Sequence, residues 1–549
     1  MAQPPSSPAE PAVFEGRFLD VDAGRVRPAR MTVRAGRIEE IRDLPAASGP
    51  VYLPGLVDAH VHVESSMLPP PEFARLAVVH GTVATVSDPH EIANVLGAEG
   101  VRWMVAQGAR VPFKFCFGAP SCVPATAFET AGARLDAAAV AELLDDPAIG
   151  YLAEVMNYPG VLHGDPELLA MIAAARQRGK PVDGHAPGLR GEEAARYAAA
   201  GITTDHECFT LDEALDKLAA GMHILIREGS AARNFDALAS LIDTHPDRVM
   251  LCSDDKHPND LVRGHLNSLL ARAVARGSDP VAAVRAATRN PVRHYGLPVG
   301  LLREGDPADF AAVADLRDFR VLGTWIDGAA VAAEGRGLLP RLETDTPNRF
   351  AARPVAAEAF RVARGGERIR AIRALDGQLV TEAEWVDAPA GDPVPADPGA
   401  DLLKITVVNR YADAPPAMAF VRGVGLRSGA LASTVAHDSH NIVAVGADDA
   451  SLARAVNALV AARGGIAVAD AQGEHVLPLP IAGLMATGDG HAVGARYEEL
   501  DARAKALGSP LGAPFMTLSF LALLVIPALK LSDRGLFDGA RFGFVETFG

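Results

Sequence analysis

Residues 54–64 read Pro-Gly-Leu-Val-Asp-Ala-His-Val-His-Val-Glu, an apolar run that ends in two histidines, His60 and His62, one residue apart. Side chains alternate faces along a β-strand, so the two imidazoles project to the same side and can hold one cation. The strand therefore proposes a metal site. A short His-x-His is also met as a pair of ordinary strand histidines, so its weight depends on whether other ligand-type residues lie along the chain.

The chain has 549 residues, too many for one core at ~100–200 residues per domain, so several units are expected. A hydrophobic content of 49% with 22% charged residues describes a globular protein, and the net charge of −16 argues against a nucleic-acid backbone as partner. Cys116, Cys122, Cys208 and Cys252 form no C-x-x-C pair, which suggests neither a disulfide framework nor a thiolate zinc site and points to reduced thiols in the cytoplasm. The first ten residues lack a basic and an apolar region and read as a disordered lead-in without an export signal. The stretch from Phe515 to Leu531 is strongly apolar, but it is shorter than the ~20 residues that span a bilayer and is interrupted by Thr517, Ser519, Pro527 and Lys530. It is expected to be buried core, and no membrane is expected as a partner.

Residues 11–53 alternate apolar and polar positions between turn signals at Asp22-Ala-Gly and Arg34-Ala-Gly, the pattern of a small antiparallel sheet. From 54 to 299, short Val/Ile/Leu/Ala runs alternate with helical stretches such as 136–145, 167–178, 191–200 and 268–287. That alternation predicts an α/β fold, a (β/α)8 TIM-type barrel. Residues 300–345 return to short strands, and with 1–53 they are expected to form one β-sandwich domain flanking the barrel. Proline-containing stretches then set off 346–549 as a C-terminal α/β domain.

Within the barrel region, ionisable residues fall where strands should end: Asp88 and His90 after residues 82–86, Glu154 after 149–153, His185 after 181–184, His206 after 202–205, and Asp254 and Asp255 after 249–253. Active sites of such barrels are built from the C-terminal strand ends, so these groups can converge although they lie far apart in sequence. Four imidazoles and two carboxylates suffice for two divalent metals with one carboxylate bridging, and a metal pair can share and acidify a water. Any one of these histidines alone serves equally well as a satisfied core residue; six ligand-type residues at successive strand ends do not.

His60-Val-His62, the strand-end histidines and Asp254 resemble the amidohydrolase superfamily. Longer strings narrow this to the adenine deaminase family: residues 62–67, 88–97, 153–161, 183–188, 204–208, 226–234 and 252–258, and in the C-terminal part 437–441, 477–485 and 515–520. The resemblance spans nearly the whole chain. It implies hydrolysis of the exocyclic amine of adenine to hypoxanthine and ammonia in purine salvage, with two metals of Mn²⁺ or Fe²⁺ type and Zn²⁺ as a further option. It implies that His60, His62 and Asp254 hold the first metal, that His185 and His206 hold the second, and that Glu154 bridges where many superfamily members carry a carboxylated lysine. Asp254 is then the proton shuttle between water and leaving ammonia, with His206 or Glu207 assisting. Oligomers are common in the superfamily, which implies a homo-oligomer.

Some residues keep two readings. Asp255 is the alternative ligand to Asp254. His90 and Glu91 either line the pocket, with His90 as a further ligand, or stabilise a loop. Glu64, Ser65 and Ser66 either hydrogen-bond the purine or form a turn capping the next helix. Ser230 is a candidate substrate contact, while Arg227 and Glu228 are expected to pair with each other. The His437-Asp-Ser-His440 string has metal-like composition but equally suits a loop folded on itself. The zinc nucleobase-deaminase signature fails, because no Pro-Cys-x-x-Cys comes after His62-Val-Glu64. Competing readings are a cyclic-amide hydrolase, an amino-sugar deacetylase, or a scaffold without activity.

Overall fold

The computed structural model describes residues 11–549, and the expected disordered lead-in lies outside the described residues. Eight parallel strands alternate with helices: Leu56–Val61, Thr82–Ser87, Lys114–Ala119, Ile149–Val155, Val182–Gly184, Thr204–Asp205, His223–Arg227 and Val249–Cys252. They form a five-stranded and a three-stranded run. The runs are joined on one side by Thr203 N–H donating to Val182 O (2.8 Å) and on the other by Asp254 N–H donating to His60 O (2.9 Å). The last strand therefore meets the first, and the sheet closes into the (β/α)8 barrel that the alternation predicts. Asp58 reinforces the seam, accepting from Ser253 N–H (2.9 Å) and lying 2.9 Å from His265 Nε2.

The helical expectations for 136–145, 167–178 and 191–200 are met by Ala137–Asp145, Pro166–Gln177 and Gly191–Ala199. The expected single helix over 268–287 is two, Leu266–Ala275 and Pro280–Ala286. Gly277, at φ +101°, turns the chain out of the first, and Asp279 caps the second through Val281 and Ala282 N–H with Pro280 at its first position.

Both flanks of the barrel share one eight-stranded sheet. Ala12–Asp20, Arg25–Arg34 and Arg37–Asp43 form an antiparallel meander. Val51–Pro54 then lies parallel to the first of these, because the chain crosses over between residues 44 and 50, and it pairs antiparallel with Phe310–Val313 from the far side of the barrel. The first barrel strand begins two residues after this sheet ends, at a glycine that leaves no space for a side chain: a Cβ on Gly55 would stand 2.3 Å from Val83.

The C-terminal part carries a second eight-stranded sheet, from Arg368–Arg373 to Gly473–Pro478, packed on helix Asp449–Ala462, and a three-stranded sheet over residues 529–544. Between them run helices Gly490–Ala506 and Pro514–Phe520. The apolar stretch from Phe515 to Leu531 is largely buried, and no helix among the described residues is long and apolar enough to cross a membrane.

Candidate metal centre and active site

Closing the barrel brings the strand ends together. His60 is the fifth residue of the first strand and His62 lies just past its end, and their Nε2 atoms stand 3.3 Å apart. His62 Nδ1 lies 3.1 Å from the carbonyl of Asp88, which can only accept, so Nδ1 carries a proton and Nε2 faces the cluster. Asp254 Oδ1 is 3.3 Å from His62 Nε2 and 3.8 Å from His60 Nε2. On the opposite side, Glu154 Oε2 is 2.8 Å from His185 Nδ1 and 3.0 Å from His206 Nε2. Its Oε1 is 3.5 Å from His62 Nε2 and 3.3 Å from His90 Nδ1.

Local hydrogen bonds set these positions. Asp205 accepts from Ala186 N–H (3.0 Å) and Glu207 N–H (2.8 Å), holding the residues next to His185 and His206. Lys217 completes this anchor, 3.2 Å from Asp205 and donating to Ala186 O at 2.7 Å. Tyr197 O–H donates to Val155 O (2.7 Å) and its oxygen accepts from His185 N–H (3.1 Å), tying the Glu154 strand to the His185 turn. Asp254 adopts φ +52°, a left-handed turn after the last strand.

The charges are mutually frustrated. Burial pushes the His60 imidazole well below its usual pKa, and the neighbouring His206 adds to this. Burial also works against charge on His62 and His206, but Asp254 holds His62 well above its usual value and Glu154 brings His206 up to about 9. Glu154 and Asp254 stay well below the usual carboxylate range despite burial, the first through His185 and His206, the second through Arg227. The donors of this cage face one another: His60 Nε2 and His62 Nε2 stand across a 3.3 Å gap, and among the described residues His60 Nδ1, His185 Nε2 and Glu207 Oε2 are buried without a partner. Groups of three donors lie close enough to share one ion at His60–His62–Asp254, His60–Glu154–His206 and His185–His206–Glu207. Such nitrogen and oxygen sets without thiolate suit a divalent cation.

The structure separates the two aspartates. Asp254 stands at the histidine pair, whereas Asp255 Oδ1 accepts from Ser65 Oγ (2.6 Å) and lies 4.0 Å from His437 Nε2. Ser65 Oγ also lies 2.9 Å from Glu91 Oε1, so Ser65, Glu91, Asp255 and His437 form one polar wall beside the metal cage. Glu64 and Ser66 face away: Glu64 accepts from Ile92 N–H (3.3 Å) and Ser66 donates to Val63 O (2.6 Å). Burial, with Glu91 nearby, pushes Glu64 up to about 8. Ser230 is not brought to the cluster; it donates to Asp260 (2.6 Å) and accepts from His257 N–H (2.9 Å).

The expected Arg227–Glu228 pair is not made. Alternation along strand His223–Arg227 sends adjacent residues to opposite faces, so Arg227 points inward and joins Glu207 to Asp254, while Glu228 pairs outside with Arg272.

The C-terminal domain completes the pocket. His437, Asp438, Leu379, Phe520 and Leu523 line it with His62, His90, Glu154, Met156, Glu207 and Arg227. His437 Nδ1 is 3.5 Å from Glu91, and despite burial the charges of Asp255 and Glu91 bring the imidazole up to about 9. Asp438 Oδ1 lies 3.7 Å from His90 Nε2. The His437–His440 loop therefore enters the barrel mouth. Its composition alone left this open, and Leu379, Phe520 and Leu523 carry no signal in sequence that separates them from any core residue.

A closed parallel barrel with histidines and carboxylates converging at its strand ends defines a metal-dependent hydrolase of the amidohydrolase family, whose profile matches residues 51–331. The profile of the adenine deaminase C-terminal domain matches residues 378–543. Proteins named adenine deaminase align along nearly the whole chain: one from Salinibacter ruber at 59% identity over 98% of this chain and 99% of its own, one from Sulfurovum sp. at 54% over 97% and 99%, and one from Methanosarcina acetivorans at 50% over 97% and 99%. The chain belongs to the adenine deaminase family.

Proposed function

We propose that this chain hydrolyses adenine: one water is consumed, the exocyclic C–N bond breaks, and hypoxanthine and ammonia leave, a step of purine salvage in a cytoplasm that keeps Cys116, Cys122, Cys208 and Cys252 free. The observation that carries the reading is Glu154, within 4.0 Å of all four imidazoles that the family resemblance assigns as ligands. His60, His62 and Asp254 would hold one cation, His185 and His206 the other, with Glu154 between them. Mn²⁺ or Fe²⁺ suits this donor set, and when bound the pair would polarise and acidify a water at neutral pH.

The remaining work falls to the chain. Asp254, kept ionised by Arg227, accepts a proton from the attacking water and returns one to the departing amine. Glu207 shares Arg227 through one oxygen, and its Oε2, without a partner among the described residues, can accept a hydrogen bond from a ring N–H of the purine. Ser65, Glu91, Asp255 and His437 supply the polar wall that orients the purine edge, and Leu379, Phe520 and Leu523 cover its face and exclude water. Monitoring adenine absorbance with Mn²⁺- or Fe²⁺-loaded protein tests the reading. Conversion to hypoxanthine by the wild type, lost in Glu154→Gln together with bound metal, supports it; no turnover at full metal occupancy overturns it and redirects the search to cyclic amides and acetylated amino sugars. The family habit of oligomer formation supports a homo-oligomer, which sedimentation checks.

A further inference from the structure

Lys530 is fully buried on strand Leu529–Ser532, which pairs antiparallel with Gly535–Asp538. Its Nζ donates to two main-chain carbonyls, Leu379 O at 2.6 Å and Phe520 O at 2.9 Å. Among the described residues no carboxylate pairs with it, and burial alone pushes its pKa down to about 7. The other fully buried lysines differ: Lys217 has Asp205 and Glu213, and Lys404 has Asp449. An ammonium buried without a counter-ion is costly, and a methionine would fill the same space at no such cost.

The two carbonyls belong to residues whose side chains line the active-site pocket, Leu379 and Phe520. These residues come from chain segments 141 positions apart that meet in one apolar cluster with Ala231, Ala232, Met516 and Leu523. Neither carbonyl belongs to a regular strand ladder, and the Phe520 ring centroid stands 5.3 Å from that of His437. Neighbouring bonds run the same way: Thr381 Oγ1 donates to Leu529 O (2.8 Å) and Leu531 N–H donates to Leu521 O (3.0 Å). The strand carrying Lys530 is thus the common anchor of both apolar segments.

We propose that Lys530 is a positioning residue for the reaction, a strap whose ammonium fixes the Leu379 and Phe520 segments as one apolar roof over the bound purine. The inference rests on the adenine reading for its kinetic consequence but not for its structural one. Without the amino group the buried Leu379 carbonyl loses its partner and the Phe520 carbonyl keeps only Leu523 N–H, so the tie between the two segments loosens while the metal cage stays intact.

The test is Lys530→Met in the full, metal-loaded chain, with Lys530→Gln, which retains an amide donor, as the second variant and the substitute should the first not fold. For Lys530→Met the KM for adenine is expected to rise about tenfold with kcat within about twofold and metal content unchanged, the signature of lost substrate binding without lost chemistry. Lys530→Gln is expected between the two. Amide hydrogen exchange, read on the same proteins, is expected to quicken over 379–381 and 520–523 and to stay constant in the barrel strands. Wild-type KM and exchange in the variants, or a fall in kcat with KM constant, overturns the proposal. If the wild type does not turn over adenine, the adenine reading fails, and the exchange pattern still decides whether Lys530 is the strap.

Discussion

Nδ1 of His437, in the C-terminal domain, lies 3.5 Å from Oε1 of Glu91, on the first helix turn after the second barrel strand. The active-site wall is therefore made jointly by two domains, and the imidazole there is charged at neutral pH because Asp255 and Glu91 outweigh its burial. His437→Ala removes that charge while leaving every donor of the metal cage in place. Adenine kcat/KM is expected to fall on the order of a hundredfold with both metals retained, a loss of the size seen for a positioned proton donor. Metal analysis beside kinetics checks this; parallel loss of metal would assign His437 to the cage instead.

Arg227 places one guanidinium between Glu207 and Asp254, and its charge is the main reason that Asp254 stays ionised despite burial. In Arg227→Met that support is gone, so the Asp254 pKa rises and the carboxylate takes up its proton at a higher pH. Activity that depends on ionised Asp254 is then lost earlier as pH falls, and the acid limb of the kcat/KM profile is expected to move to higher pH with a lower plateau. Arg227→Lys, which keeps the positive charge on a different head group, is expected to recover part of the shift. An unmoved acid limb in both variants would remove Asp254 from the shuttle role.

A cation held by these residues would also stabilise the fold. With no cation, His62 and His206 hold protons among Glu154, Asp254 and each other, while His60 is driven neutral. Cations would bind these donors only when the barrel is closed, so Mn²⁺ at a hundredfold excess over its dissociation constant is expected to stabilise the fold by about 2.7 kcal/mol per site. Scanning calorimetry of chelated and Mn²⁺-loaded protein reads this directly. A melting temperature insensitive to both would mean that the strand ends do not converge on an ion.

Much of the barrel is legible in the sequence because several of its strands are short apolar runs followed by an ionisable residue, and the alternation of such runs with helices has few other solutions. His60, His62, His185 and His206 emerge from position in that pattern alone. Pairing Arg227 with its sequence neighbour Glu228 ignores the alternation of a strand, which sends the two to opposite faces. Ser230 belongs to one of the family strings, yet its hydroxyl is spent on Asp260. The contribution of Leu379, Phe520 and the His437 loop depends on how a second domain docks on the barrel mouth, and contacts across hundreds of residues leave no local periodicity to read.

Glu129 connects that docked loop to the barrel. Its carboxyl accepts from Thr126 Oγ1 (2.9 Å) on its own loop and from Ser439 Oγ, two residues past His437. Burial, with Asp438 nearby, raises its pKa from 4.5 to about 8. Between those values the folded protein holds a proton that the unfolded chain has released, so this group's contribution to stability is full below pH 4.5, declines as pH rises, and is gone once pH passes about 8. Glu129→Gln stays neutral and keeps a hydrogen-bonding amide, so its melting temperature is expected to match that of the wild type near pH 5 and to exceed it at pH 8.5. Glu129→Ala loses the link to Ser439 and is expected to melt lower at both. Thermal unfolding of the three proteins across this range gives the answer, and a constant difference between wild type and Glu129→Gln at every pH would show that Glu129 is ionised in the fold, releasing the loop from any dependence on its proton.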